Sequence, residues 1–170
     1  SPYAATKLAG EALCRAYSHL YGMDVAVLRF FSVYGPRGRQ DMAIYHFAEQ
    51  MMEGKAIQMF GDGSSSRDYT YVDDIVQGIV ATTTRQFGFE IFNLGESETI
   101  CLLDLIGLIE KTLGKKAKIK QMPEQAGDVP KTFADITKAR RMLGYNPQTK
   151  IQEGIPKFVE WYERERRGKR

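Results

Sequence analysis

The order of its segments constrains this chain most. Between Asp24 and Gln121, short runs rich in Val, Ile and Phe alternate with longer stretches whose apolar residues recur every three to four positions. The run from Asp24 to Phe31 (DVAVLRFF) predicts a buried strand, because a continuous apolar run suits a strand covered on both faces. Shorter strands are expected at Ile57 to Phe60, Asp68 to Val72, Glu90 to Leu94 and Ala117 to Gln121. Helical periodicity occupies the intervals. Ser1-Pro2 starts a helix that Gly22 closes, with Leu8, Ala12, Ala16 and Leu20 on one broad apolar face beside Ala9, Leu13 and Tyr17. Further helices are expected from Asp41 to Glu53, after a cap at Asp73 or Asp74 with Ile75, Ile79 and Val80 inward, from Leu102 to Leu113, and from Asp135 to near Gly144. The last runs from Ile151 to Arg166 with Pro156 near its start. Alternation of this kind makes an α/β protein with at least some parallel pairing.

With 170 residues, 43% of them apolar and 26% charged, the chain suits one ordinary soluble domain, or one and a remnant. A formal charge of +3 argues against a dedicated nucleic-acid surface. Cys14 and Cys101 sit far apart in apolar runs without Cys-x-x-Cys or zinc-like His spacing. They are expected to be buried free thiols, as in a reducing cytoplasm, and no metal site is expected. No apolar run is long enough to span a membrane, and the first residues lack the charged start and apolar core of a signal peptide. Ser1 leads straight into a helix without an initiator Met, which reads as part of a longer protein.

Tyr3 and Lys7 lie four apart on the first helix, so both side chains share one face. A free tyrosine has a pKa of about 10 and is a poor base at neutral pH, but a neighbouring ammonium favours the phenolate. Such a pair can take a proton from a hydroxyl. By spacing alone it is also a common accident of exposed helices.

Five blocks in order give the pair a context. SPYAATKLAGE (1–11), LRFFSVYGPRGR (28–39), MFGDGSSSRDYTYVDDIV (59–76), FNLGES (92–97) and GDVPKTFADITKARRMLGYNP (127–147) cover nearly the whole chain. They resemble the motifs of extended short-chain dehydrogenases that act as NAD-dependent nucleotide-sugar epimerases or dehydratases. The stretch GPRGRQDMA (35–43) and Gln125 before Gly127-Asp128 are most similar to the UDP-glucuronate 4-epimerase branch, with UDP-glucose 4-epimerases next. Gln40 departs from that branch, which has Pro there.

The resemblance implies a carboxy-terminal remnant of a Rossmann-type parallel sheet plus a small mixed α/β substrate-binding domain. Residues 1–34 would carry the catalytic helix and the following strand. Residues 35–170 would form mostly the nucleotide-sugar-binding domain, with 73–97 returning to the Rossmann part. Tyr3 would be the base, and Lys7 would hold the nicotinamide ribose of NAD. Phe31 would line the cofactor side, and Ser32 the sugar or its phosphate. Arg39 suits a substrate carboxylate, because a guanidinium binds one through two parallel hydrogen bonds. Gln58 and Phe60 would flank uracil, Arg67 would neutralise the diphosphate, and Gln125 and Asp128 would face the ribose or the diphosphate. Each also has a plainer reading: strand core for Phe31 and Phe60, a solvated loop for Arg39, an ion pair with Asp68 for Arg67, and loop capping for Gln125 and Asp128.

The chain contains no G-x-x-G-x-x-G turn of the kind that seats a dinucleotide pyrophosphate at a helix start. Alone, it is expected to bind NAD weakly and not to turn over. A 4,6-dehydratase, a UDP-glucuronate decarboxylase and a non-catalytic nucleotide-sugar-binding module stay open as alternatives. The family uses the first helix at a dimer interface, so self-association through it is expected, with no nucleic-acid or membrane partner. His19, His46 and the basic run from Arg164 to Arg170 read as solvated or structural.

Overall fold

The computed structural model describes residues 1–125 and 127–168. Helix α1 (Pro2–Tyr21) begins as the Ser-Pro start predicts. The Ser1 hydroxyl accepts the Ala4 amide at 3.2 Å, and Gly22 ends the helix at φ +64°. No residue of α1 is buried, and Leu8, Leu13, Tyr17 and Leu20 are each more than half exposed. Polar and aromatic ties hold it instead. Glu11 accepts both arms of Arg29 at 2.7 and 2.6 Å, Arg15 lies over the Phe89 ring, and the Ser18 hydroxyl donates to the Gly88 carbonyl.

Strand β1 (Val25–Phe30) follows and is half-buried rather than buried, with Arg29 and Phe30 exposed. The reason is its neighbourhood: among the described residues β1 pairs with one strand only. Ala26 and Leu28 face a core on one side, and the loosely packed α1 lies against the strand. After β2 (Ser32–Tyr34), helix α2 (Ala43–Met52) starts later than Asp41, whose carboxylate is occupied by Arg39.

Strand β3 (Ala56–Phe60) matches its expected place. The single strand expected from Asp68 to Val72 is two, β4 (Ser66–Arg67) and β5 (Tyr69–Tyr71). Asp68 interrupts them because its amide donates to the Thr132 hydroxyl and its carbonyl accepts from Ser32. Helix α3 (Val72–Thr83) has Tyr71 at its cap and no side-chain cap. Asp74 is buried and accepts the Gln148 and Thr149 amides at 2.8 and 3.0 Å, so it anchors the last helix rather than capping its own. Val80 is exposed, contrary to expectation. Five residues beyond Ile75, it points about 140° away from it at 3.6 residues per turn.

Strands β6 (Phe89–Leu94) and β7 (Ile100–Cys101), helix α4 (Leu102–Leu113), strand β8 (Lys118–Met122), helix α5 (Thr137–Leu143) and helix α6 (Ile151–Gly168) complete the order. Asp135 sits before α5 and accepts the Thr137 amide. Pro156 falls in the second turn of α6, where the helix continues past it. Arg164 and Arg166 face Glu160 and Glu53, while Lys169 and Arg170 lie outside the described residues.

Pairs β1–β6, β2–β5 and β3–β8 are parallel, and β4–β7 is antiparallel. The chain is therefore α/β with parallel pairing, as the alternation predicts. One core gathers Ile44, Phe47, Ile57, Leu105, Ile109 and Phe158 between α2, α4, α6 and β3. A second gathers Ile75, Phe92, Leu94, Ala139, Leu143 and Tyr145 against β1. Cys14 and Cys101 are free but half-buried, not buried; the Cys101 thiol donates to Asp104 at 3.0 Å at the start of α4. Among the described residues, no helix is long and apolar enough to cross a membrane, and no group of three His, Cys, Asp or Glu could hold a metal.

Candidate active site

Strand alternation builds the site. In β3 the odd residues Ile57 and Met59 enter the core, so Gln58 and Phe60 share the opposite face. They line a cavity of about 170 Å³ with Arg67 from β4 and Gln125 and Asp128 from the segment after β8. Five residues expected at the substrate thus meet in one cavity from three separate parts of the chain. A second cavity of about 310 Å³ adjoins it, sharing Phe60, Ser65, Gln125 and Asp128 and adding Gly61, Asp62 and Glu124.

Arg67 donates to the Asp128 carboxylate at 2.6 Å and to the Ser66 carbonyl at 2.9 Å. The ion pair with Asp68, offered by the plainer reading, is not the arrangement found. Asp68 is wholly buried, and its oxygens accept the Glu96, Ser97 and Ala134 amides and the Thr70 hydroxyl. The Arg67 guanidinium is mostly covered, whereas Asp128 is half exposed. A cation set in a covered wall beside an open cavity suits a phosphate.

Tyr3 and Lys7 lie together on α1, with the Lys7 ammonium 5.5 Å from the centre of the Tyr3 ring. Tyr3 is 71% exposed. Arg39 grips Asp41 through two parallel hydrogen bonds of 3.0 and 2.5 Å in an exposed loop. That contact holds the guanidinium above its usual range, first through the hydrogen bond and then through the Asp41 charge. Phe31 is half-buried against the second core, and its amide donates to the Leu94 carbonyl. The Ser32 amide donates to the Asp68 carbonyl, one residue from Arg67. Tyr3, Lys7, Phe31, Ser32 and Arg39 are not among the walls of the 170 Å³ cavity. The structure therefore gathers five of the expected site residues in the cavity and pairs Tyr3 with Lys7 on α1, while Phe31, Ser32 and Arg39 belong to neither set.

Several walls escape sequence reasoning: Ala43, Phe47, Ser65, Tyr69, Ile100 and Leu102. Tyr69 stands inside the quoted Arg-Asp-Tyr block, and its place two residues after Arg67, on the same face of an extended segment, was the available signal. Burial pushes the Tyr69 phenol up to about 12, partly offset by the charge of Arg67.

Residues 1–95 match the family described as NAD dependent epimerase/dehydratase. Over 162 residues the chain is 45% identical to the UDP-glucuronate 4-epimerase of Thermodesulfobacterium geofontis, covering 95% of this chain and 50% of that protein. It superposes on the Bacillus cereus UDP-glucuronic acid 4-epimerase, solved with UDP-glucuronic acid and NAD, with a TM-score of 0.91 and 38% identity. That match covers 96% of this chain and 53% of the other. A dTDP-glucose 4,6-dehydratase from Streptomyces venezuelae gives a TM-score of 0.90 at 31% identity over 99% of this chain and 52% of that one. The chain spans about half the length of the curated relatives it matches.

Proposed function

The chain belongs to the NAD-dependent epimerase/dehydratase family, and on that premise we propose that it is the catalytic-helix and nucleotide-sugar-binding part of a UDP-sugar 4-epimerase acting on UDP-glucuronate. The observation that carries this reading is the convergence of Gln58, Phe60, Arg67, Gln125 and Asp128 on one cavity. Gln58 offers an amide edge to uracil and Phe60 a flat apolar wall beside it. Arg67 meets the diphosphate, and Gln125 and Asp128 face the ribose or the diphosphate. We assign residues 1–34 and 73–97 to the Rossmann part and most of 35–170 to the substrate part.

The residues on α1 fit one end of NAD. Among the described residues the Lys7 ammonium makes no ion pair, and it stands beside an exposed phenol, a donor set suited to ribose hydroxyls. Lys7 and Tyr3 would hold that ribose, with Phe31 lining the same side. When bound, NAD supplies a hydride acceptor that takes a hydride from C4 of the sugar and later returns it. Tyr3 removes the C4 hydroxyl proton at its phenolic oxygen and gives it back, and the Lys7 charge favours the phenolate while it does so. Ser32, whose amide donates to the carbonyl of the residue after Arg67, would meet the sugar or its phosphate. Arg39 exchanges Asp41 for the sugar carboxylate, a bond of the same geometry. The proton that Tyr3 takes is given back, and the reaction would invert C4 with no net redox change. UDP-glucose, which lacks the carboxylate that Arg39 would grip, is the next substrate in line.

The chain carries no glycine-rich dinucleotide turn, so by itself it binds NAD weakly and does not turn over. The exposed Leu8, Leu13, Tyr17 and Leu20 support self-association through α1, and the free thiols support a cytoplasmic setting. Sedimentation checks the first: a clean monomer counts against it. Calorimetry of the chain with UDP-glucuronate, UDP-glucose and dTDP-glucose, each with and without NAD, tests the whole reading. UDP-glucuronate should bind most tightly and NAD alone weakly. Failure of every UDP-sugar to bind overturns it.

A further inference from the structure

Asp68 is wholly buried between two short strands, and it uses every polar atom it has. Its Oδ1 accepts the Glu96 amide at 2.8 Å and the Thr70 hydroxyl at 3.2 Å. Its Oδ2 accepts the Ser97 amide at 3.0 Å and the Ala134 amide at 3.1 Å. Its own amide donates to the Thr132 hydroxyl, and its carbonyl accepts the Ser32 amide. The surroundings are close-packed. A Cβ on Gly95 would clash with that of Ala134 and lie 3.1 Å from Oδ2. Ser97 holds a left-handed backbone, φ +61°, that only glycine adopts freely, and its amide points at the carboxylate. The charge thus holds a turn that the sequence alone does not favour.

The location gives this clamp a role in the site. Arg67 is the preceding residue, and its partner Asp128 belongs to the segment between β8 and α5. That segment is fixed to β4 by the Ser66 amide on the Pro130 carbonyl, the Thr132 amide on the Ser66 carbonyl, and the Ala134 amide on Asp68. Asp68 is the wholly buried charge among these ties.

We propose that Asp68 is a positioning residue of the diphosphate site: its carboxylate ties the Ser97 turn and the Ala134 segment to the strand carrying Arg67, and so holds Arg67 against Asp128 on the cavity wall. The proposal rests on the nucleotide-sugar reading of that cavity. An Asn at 68 keeps the size but turns one acceptor into a donor facing amides that also donate.

The test is a double-mutant cycle on UDP binding, measured by calorimetry with the chain, Asp68→Asn, Arg67→Ala and the double variant. Because Asp68 acts through Arg67, Asp68→Asn should weaken UDP at least about tenfold, and by less than about threefold once Arg67 is already Ala. A general loss of stability would cost the same in both backgrounds. Unchanged UDP affinity in Asp68→Asn, or an equal loss in both backgrounds, overturns the proposal. If circular dichroism finds Asp68→Asn unfolded, Thr70→Val replaces it in the cycle. That variant removes one donor and leaves three, and it should give a smaller loss that again vanishes with Arg67→Ala; an equal loss in both overturns the proposal. No UDP binding by the unaltered chain is a separate outcome. It refutes the nucleotide-sugar reading itself, and this inference falls with it.

Discussion

Arg67 and Asp128 are 61 residues apart in sequence and meet at 2.6 Å on the wall of one cavity. On the proposed reading, the acidic partner holds the guanidinium where a diphosphate would be received. Replacing Arg67 with Ala should therefore weaken UDP by about 10- to 100-fold, the scale of hydrogen bonds to a charged group. Uridine, which lacks the phosphates, should lose much less. Calorimetry with both ligands separates the two, and equal losses would mean that Arg67 supports the cavity rather than the phosphates.

Gly154 and Tyr34 make a second test. A Cβ on Gly154 would clash with the Tyr34 hydroxyl and approach its Cζ to 2.7 Å. That hydroxyl is buried without a hydrogen-bond partner. Gly154→Ala should destabilise the chain by about 1–3 kcal/mol through overpacking. Tyr34→Phe, which deletes an unpaired polar group, should be neutral or stabilising. The double variant should recover part of the loss, because the ring carbons remain in the way. Urea denaturation curves of the three variants give the comparison.

The Glu11–Arg29 pair is the main charged tie between α1 and the sheet. The hydrogen bond from Arg29 holds the Glu11 carboxyl below its usual range. A depressed carboxyl stabilises the fold above its unfolded pKa of about 4.3 and loses that contribution as pH falls through the lower folded value. Near-neutral pH should leave α1 docked. Below pH of about 4, or in Glu11→Gln at pH 7, proteolysis within residues 2–21 should accelerate before the rest of the chain is cut.

Tyr69 should report on the cavity at alkaline pH. Its phenol is pushed up to about 12 by burial. A raised phenol leaves stability intact below the unfolded value of about 10 and removes it as pH climbs towards the folded one. Absorbance titration should show a late-ionising component, reached together with unfolding, that shrinks in Tyr69→Phe. An unchanged late component would place the group elsewhere.

Much of this was legible in the sequence because it depends on local chemistry. Ser1-Pro2, Gly22 and Gly114 mark helix ends by backbone rules that act within a few residues. Gln58 and Phe60 came from the resemblance alone, and the alternation of β3 explains why they share a face. What was not legible depends on partners distant along the chain. The run DVAVLRFF reads as a fully covered strand, but burial is set by what packs on it, and β1 has one strand neighbour among the described residues. Asp74 looks like a helix cap, yet its acceptors are taken by amides 74 and 75 residues away. Asp68 hid behind Arg67 for the same reason: its four donors come from Thr70, Glu96, Ser97 and Ala134, and only the first is a neighbour in sequence.

The cavity between β3, β4 and the segment after β8 is proposed to receive the nucleotide diphosphate. The most direct measurement is a nuclear magnetic resonance titration of the isotope-labelled chain with UDP-glucuronate, following backbone amides. Saturable shifts should concentrate at Gln58, Phe60, Arg67, Gln125 and Asp128, with the Arg67 side chain moving as it leaves Asp128. Shifts that cluster elsewhere, or none at millimolar ligand, would contradict the proposal.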